Sequence, residues 1–377
     1  MTPDWLNEPN AQAVCNMLTD AGYAAWFVGG CVRNALMGER ISDLDLSTDA
    51  LPQTVMKLAQ TAGFKSIPTG IDHGTVTVVV GGTPFEVTTF RKDVETDGRR
   101  AVVAFSTDMI DDARRRDFTM NALYLDANGA LADPLGGLPD LQARRVRFIE
   151  DGDARVKEDY LRILRFFRFH AWYGDDSAGL DPDALAACAE NIEGLAGLSK
   201  ERVGQEMRKL LSAPDPAPAL SAMSACGALG QILPGAQPNV IAPLVHLEGG
   251  QGVSPDPIRR LAVIGGQDVE VALRLTKKEV AQLAQLRGFD GDARKAGYAF
   301  GATTARDMLL IEAASLGHEI DPNKVEMARS ASEEIFPLKA ADLMPRLTGA
   351  ALGQALKEAE ARWIASNFTL TKDDLLG

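Results

Sequence analysis

Two textures of apolar placement divide the chain near residue 150. Before it, short apolar runs separated by glycine-containing and polar turns predict strands over residues 25–28, 43–47, 75–80, 85–90, 122–126 and 146–149. Helical spacing predicts helices over 31–37 and 52–62. Beyond it, alanine, leucine and charged residues recur at three- and four-residue spacing with few β-branched runs, as expected of an almost wholly helical region. One long helix is predicted over 154–172, with Tyr160, Leu164, Phe167 and Ala171 on a single stripe. Helices over 181–192 and 199–211 follow, the latter with Ser199 as N-cap. Pro214, Pro216 and Pro218 then interrupt the pattern, which resumes to the C-terminus apart from a glycine- and proline-containing loop at 249–257. The expectation is an α+β chain of three parts: a mixed-sheet head at 1–150, a helical neck at 151–213, and a helical body and tail at 214–377.

Charge narrows the partners. The formal net charge is -13, so the surface as a whole repels nucleic acid and any polyanion must be held by local basic groups. Cys15, Cys31, Cys188 and Cys226 form no CxxC pair, which gives neither a zinc knuckle nor a disulfide framework and points to a reduced cytoplasm. Residues 1–12 have no basic start and no apolar run, unlike a secretory signal, and no segment reaches the length of a membrane span, so no membrane partner is expected. The histidines, at 73, 170, 246 and 318, stand alone and are expected to be structural.

The chemistry begins at Val28-Gly29-Gly30-Cys31-Val32-Arg33-Asn34, followed by Ser42-Asp43-Leu44-Asp45-Leu46-Ser47-Thr48. Gly29 and Gly30 between a strand and a helix allow an unusual backbone and close ligand approach, with helix N–H groups and Arg33 available to phosphate; a plain tight turn is the alternative. If Asp43 and Asp45 lie in one strand, their side chains share a face, and two such carboxylates suit Mg2+ held together with substrate phosphates. Glu86, an acid in the run at 85–90, would add a third carboxylate if its strand pairs beside the aspartates, or else sit on a solvated face. The run Arg114-Arg115-Arg116 adjoins the predicted strand at 122–126, which favours Arg116 contacting a triphosphate over an idle basic surface.

Glu158-Asp159-Tyr160-Leu161-Arg162 carries recognition chemistry. An aspartate accepting from an exocyclic amino group, beside an arginine donating to the adjacent ring nitrogen, matches the Watson–Crick edges of cytosine and adenine. Uracil and guanine present a carbonyl instead and leave buried polar groups unpaired, which is heavily penalised. The three-residue spacing equally allows an intrahelical Asp159–Arg162 ion pair. Arg165 and Arg168 continue the row towards phosphate.

In this order the segments resemble the class II tRNA nucleotidyltransferase and bacterial poly(A) polymerase family of the polymerase-β superfamily, over roughly the first 210 residues. Gly29-Gly30-x-Val32-Arg33 with Asp43-x-Asp45 is similar to the family's catalytic motif. Arg115-Arg116-Asp117-Phe118-Thr119-x-Asn121-Ala122 is similar to its second motif, Glu158-Asp159-x-x-Arg162 to its base-selecting motif, and residues 198–211 with Glu201, Arg202 and Glu206 to its later helical motif. The resemblance implies a polymerase-β-like nucleotidyltransferase head followed by an all-α neck, body and tail, the last lying along tRNA. It implies Mg2+ on Asp43 and Asp45 and nucleotide contacts from Gly29, Gly30, Arg33, Arg116, Asp159, Arg162, Arg165 and Arg168; Glu86, read from its own run, stays a candidate third catalytic carboxylate. Asn34 departs from the pattern, standing where the family usually has aspartate, so the bonding around Arg33 must differ. The implied activity is addition of C, C and A from CTP and ATP to the tRNA 3' end by a two-metal mechanism with release of pyrophosphate. Polyadenylation, partial CC or A addition, and a catalytically inactive tRNA-binding scaffold are the alternatives. Gly70-Ile71-Asp72-His73-Gly74-Thr75-Val76 and residues 363–368 resemble CCA-adding chains, while Gly98-Arg99-Arg100 is followed by Ala101-Val102 and lacks the poly(A) polymerase signature. A loop at 93–105 is expected to control how far addition proceeds. Lys200, Arg202, Arg208 and Lys209 are candidate tRNA contacts.

Overall fold

Short apolar strands with buried core positions build a seven-stranded mixed sheet. The computed structural model describes residues 3–41, 43–97, 100–344 and 346–376, of which 93–97 and 100–102 are described through their backbone alone. The chain forms two compact units, Met1–Pro234 and Gly235–Gly377.

In the first unit the strands are β1 (Trp26–Val28), β2 (Asp45–Thr48), β3 (Lys65–Gly70), β4 (Thr75–Val80), β5 (Thr83–Thr89), β6 (Arg91–Asp97), β7 (Arg100–Phe105), β8 (Tyr124–Leu125) and β9 (Leu131–Ala132). The sheet order is β3-β4-β5-β2-β1-β8-β9. Only β2 and β5 run parallel, with Asp45 opposite Glu86; every other pairing in the sheet is antiparallel. Phe27, Leu46, Val76, Val78, Phe85 and Val87 are fully buried in its core. The expected mixed-sheet head followed by helices is therefore what the chain forms.

Helices α1 (Pro9–Thr19), α2 (Gly30–Met37), α3 (Pro52–Thr61), α4 (Met109–Arg114) and α5 (Leu138–Gln142) accompany the sheet. The helical part of this unit holds α6 (Gly152–Glu158), α7 (Leu161–Tyr173), α8 (Pro182–Glu190), α9 (Lys200–Leu211), α10 (Ala217–Ala225) and α11 (Ala228–Ile232). Pro214, Pro216 and Pro218 do not end the unit. Pro216 instead precedes α10, which packs on α7.

Several expectations need correction. The single helix over 154–172 is two, because Asp159 takes an extended backbone (φ -153°, ψ 104°) and its Oδ1 accepts from the Leu161 amide, a local bond that competes with the helical ladder. The β2 strand starts at Asp45, so strand alternation does not reach Asp43. Residues 146–149 make only an isolated bridge between Phe118 and Phe148. The backbone over 93–105 belongs to the antiparallel β6–β7 hairpin rather than an open loop, with Gly98 and Arg99 outside the described residues. Strand β3 carries no apolar alternation because it is the exposed sheet edge, where Pro68 is tolerated.

The second unit is helical: α12 (Ile241–Gly250), α13 (Pro257–Ile264), α14 (Val269–Ala272), α15 (Lys277–Arg287), α16 (Ala293–Leu316), α17 (Pro322–Ala331), α18 (Ala340–Leu343), α19 (Gly349–Ala365) and α20 (Lys372–Leu376). Glu248 lies buried between Arg259 and Arg260, and Arg259 also reaches Asp307 at 3.0 Å, so these buried charges are mutually paired. Trp363 packs among Tyr298, Phe336 and Phe368. No described helix is long and apolar enough to cross a membrane.

Candidate functional site

The strand-to-helix turn opens the site. Gly29 sits at φ 77°, ψ -125°, a conformation that only glycine adopts easily, and a Cβ there would come within 3.3 Å of Arg116 Nη1. Gly29, Gly30, Arg33, Asp45, Arg116, Asp159, Arg162, Arg165 and Arg168 line one cleft of about 570 Å³, together with Arg115, Asp117, Asn121, Phe169 and Lys209. Nine of the eleven residues expected at the site thus meet in one place. Asp43 and Glu86 do not line this cleft, but both act electrostatically on Asp45. Ser42 lies outside the described residues.

Asp45 is half-buried and points, with Ser47, from the same face of β2. Burial, followed by the like charge of Glu86, lifts the Asp45 carboxyl to about 6; Arg116 opposes the rise and Asp43 adds to it. Such a carboxyl crowded by like charges suits a cation. Among the described residues no group of three His, Cys, Asp or Glu side chains forms a ready metal cage. Asp45, with the like charges of Glu86 and Asp43 acting on it, offers carboxylate oxygens of the kind that suit a divalent cation.

The arginines are aimed by a buried scaffold. Asp112, fully buried on α4, accepts from Arg115 Nε at 2.8 Å, Arg116 Nη2 at 3.0 Å, Tyr124 Oη at 2.9 Å and Ser47 Oγ at 3.3 Å. Burial would raise its carboxyl, but the Arg116 and Arg115 guanidiniums outweigh that and hold it at about 2. Asp117 is likewise at about 2: burial pushes it up, and Arg165 with the Asn121 amide and the Phe118 N–H pull it further down. Asn121 Oδ1 in turn accepts from Arg33 Nη1 at 2.6 Å, so Arg33, Asn121, Asp117 and Arg165 form one continuous network.

Arg33 lies 3.9 Å from the Tyr173 ring centroid. Asn34 Oδ1 accepts from its Nε at 3.1 Å and its Nη2 at 2.8 Å, while Asn34 Nδ2 donates to the Arg40 carbonyl at 2.7 Å. An aspartate could keep the first two bonds but would set an oxygen against that carbonyl. The departure from the family pattern thus ties α2 to the loop leading to Asp43.

The helical wall carries Asp159 and Arg162, which do not pair with each other. Arg162 Nη1 donates to Glu158 Oε2 at 2.5 Å and to the Arg155 carbonyl at 2.8 Å, and its Nη2 to the Arg115 carbonyl at 3.0 Å. Asp159 Oδ2 accepts from Arg202 Nη2 at 2.5 Å. Arg168 Nε donates to Glu206 Oε2 at 2.5 Å and lies over Phe169. The intrahelical Asp159–Arg162 ion pair is therefore absent, and Arg202, expected among tRNA contacts, is bonded at the cleft.

Asp112 was missed in the sequence although its i,i+3 and i,i+4 spacing to Arg115 and Arg116 was a usable signal. Glu206 as the holder of Arg168 had no such local signal.

Residues 25–147 match the family model described as "Poly A polymerase head domain", and residues 179–239 the one described as "Probable RNA and SrmB- binding site of polymerase A". The chain is thus similar, over its head and the helical segment at 179–239, to the tRNA nucleotidyltransferase and poly(A) polymerase family. It is 46% identical to the mitochondrial CCA tRNA nucleotidyltransferase 1 of Danio rerio over 48% of this chain and 43% of the relative. It is 41% identical to the CCA-adding enzyme of Geobacillus thermodenitrificans over 60% of this chain and 54% of the relative. The matches thus span about half the length of these curated relatives. The Bacillus stearothermophilus CCA-adding enzyme in complex with CTP superposes with a TM-score of 0.72 at 28% identity, covering 95% of this chain and 92% of that one. The Thermotoga maritima CCA-adding enzyme complexed with tRNA shares the fold, with a TM-score of 0.69 at 16% identity over 97% and 92% of the two chains.

Proposed function

We propose that this protein is a member of that family and adds C, C and A to the 3' end of tRNA, using CTP and ATP and releasing pyrophosphate. The observation that carries this reading is a single cleft that brings Asp45, whose strand partner is Glu86, together with the glycine turn at Gly29 and with an Asp159/Arg162 wall able to read a base edge. The kinship to CCA-adding enzymes, one of them complexed with CTP, supports the same nucleotide choice.

Two Mg2+ ions, held by Asp43 and Asp45 with Glu86 beside them, would supply charge stabilisation at the attacking and leaving oxygens. The chain's own groups do the rest. The Gly29 turn admits phosphate close to the backbone, and Arg33 and Arg116 offer guanidiniums to its oxygens. Asp159 accepts from the amino group of cytosine or adenine while Arg162 donates to the neighbouring ring nitrogen. Because each is bonded before substrate arrives, little reorganisation is left for the reaction. The helical region from 151 onwards is the expected tRNA-binding part, with a functional division near 213. The free cysteines, three of them buried, accord with a reducing cytoplasm.

Incubating the protein with CTP, ATP, Mg2+ and a tRNA lacking its terminal nucleotides tests the proposal. Extension by three nucleotides that then stops is expected. A long adenosine tail would mean polyadenylation, extension by C, C or A alone a partial enzyme, and no extension with retained tRNA binding an inactive scaffold. Asp45→Ala should abolish incorporation and leave tRNA affinity within about twofold.

A further inference from the structure

We propose that Arg202 is a specificity-determining residue of this site: from α9 it fixes the direction in which Asp159 accepts a hydrogen bond, and thereby which bases are admitted. The inference rests on the reading of the cleft given above and extends it to a residue outside the base-reading segment.

Asp159 is poorly held by its own neighbourhood. It stands between α6 and α7 in extended backbone, outside either helical ladder, with about a quarter of its side chain exposed. Its Oδ1 accepts from the Leu161 amide at 3.1 Å, a bond about which the carboxylate can still swing. The second anchor is remote: Arg202 Nη2 donates to Oδ2 at 2.5 Å across 43 residues of sequence. Two anchors on two oxygens define a plane, and each oxygen keeps a lone pair for a ligand.

Arg202 is itself well placed to do this. It lies in the first turn of α9, whose N-cap Ser199 accepts from the Arg202 amide, and α9 packs along α7. One turn further, Glu206 holds Arg168 from the same helix. Thus α9 grips two cleft side chains from behind, leaving their front faces to the nucleotide.

The chemistry gives the consequence. An ionised carboxylate only accepts, so in its held orientation it suits the exocyclic amino group of cytosine or adenine. Uracil and guanine instead offer a ring N–H beside a carbonyl. A carboxylate freed to turn can meet that ring N–H while Arg162 donates to the carbonyl, and the penalty that excludes these bases falls away.

The test measures kcat/KM for single incorporation of CTP, ATP, UTP and GTP on full-length protein with tRNA lacking its 3' end, alongside thermal melting and tRNA affinity. Arg202→Ala should reduce the CTP-over-UTP preference roughly tenfold or more, the scale of one lost charge-assisted bond, with tRNA affinity unchanged. Arg202→Lys should recover much of the preference, because the contact to Asp159 runs through a single donor nitrogen. In an Asp159→Asn background the Arg202 substitution should have no further effect on preference. If Arg202→Ala does not fold, Arg202→Gln serves the same comparison. Unchanged preference, an equal loss for all four nucleotides, or an undiminished Arg202 effect in the Asp159→Asn background would overturn the inference. A wild-type protein that incorporates nothing would overturn the functional reading instead, which keeps the two failures apart.

Discussion

Asp112 and Asp117 show how single buried acids set the site. Asp112 takes bonds from two arginines, a tyrosine and a serine while wholly buried, so no solvent can replace any partner it loses. Asp112→Asn would leave the Arg115 and Arg116 charges without their counter-ion; a loss of about 3–5 kcal/mol of stability is expected, read as a lower urea midpoint. The nucleotide KM should rise as well, since Arg116 would no longer be aimed past Gly29. Acid should have a related effect. Both carboxyls lie at about 2 in the folded protein, below their unfolded value of 3.8, so the stability they contribute is full above about pH 4–5 and is lost as pH falls towards 2. Each is worth about 2 kcal/mol at neutral pH. Urea unfolding between pH 5 and pH 2 should show the decline, with a shallower slope in Asp117→Asn.

At the scale of elements, the break between α6 and α7 shapes the cleft wall that carries Asp159 and Arg162. A continuous helix would have committed the Asp159 backbone to the ladder; the break instead leaves its carboxylate to cap Leu161 and meet α9. Tyr160 next to it presses on Gly194, where an added Cβ would lie 2.1 Å from the ring. Gly194→Ala must therefore displace the aromatic ring. A cost of about 1–3 kcal/mol is expected, together with weaker discrimination between CTP and UTP, because the displaced Tyr160 adjoins Asp159. Thermal melting and misincorporation assays check the two outcomes separately. The edge strand β3 is not legible in the sequence because it lacks the buried alternating face by which sequence patterns announce a strand.

For the whole molecule, an overall charge of -13 confronts a cleft lined by Arg33, Arg115, Arg116, Arg162, Arg165 and Arg168. Much of that positive charge is already matched by Asp112, Asp117, Glu158 and Glu206. Binding of tRNA should accordingly show a modest salt dependence, with a small slope of log affinity against log salt concentration. Chelating divalent metal should abolish incorporation yet leave the melting temperature nearly unchanged. The reason is positional: Asp43 and Glu86 are exposed and Asp45 half-buried, so the carboxylates face away from the apolar core instead of holding it together. A large drop in melting temperature on chelation would contradict this.

The sequence by itself determined the division into a mixed-sheet head and a helical remainder, and the residue types the cleft requires. Those features are local: apolar period, turn glycines, and short motifs whose spacing survives in any fold that contains them. Only the tertiary structure decided the partners. That Asp45 faces Glu86 depends on the parallel register of β2 and β5, which a one-residue slip would undo. That Asp159 answers to Arg202 and Arg162 to Glu158, when the spacing invited Asp159 and Arg162 to pair, depends on a helix break and on the packing of α7 against α9. Periodicity places neighbours within an element, whereas contacts between elements arise from burying their shared faces, and it is those contacts that aim the side chains of this site.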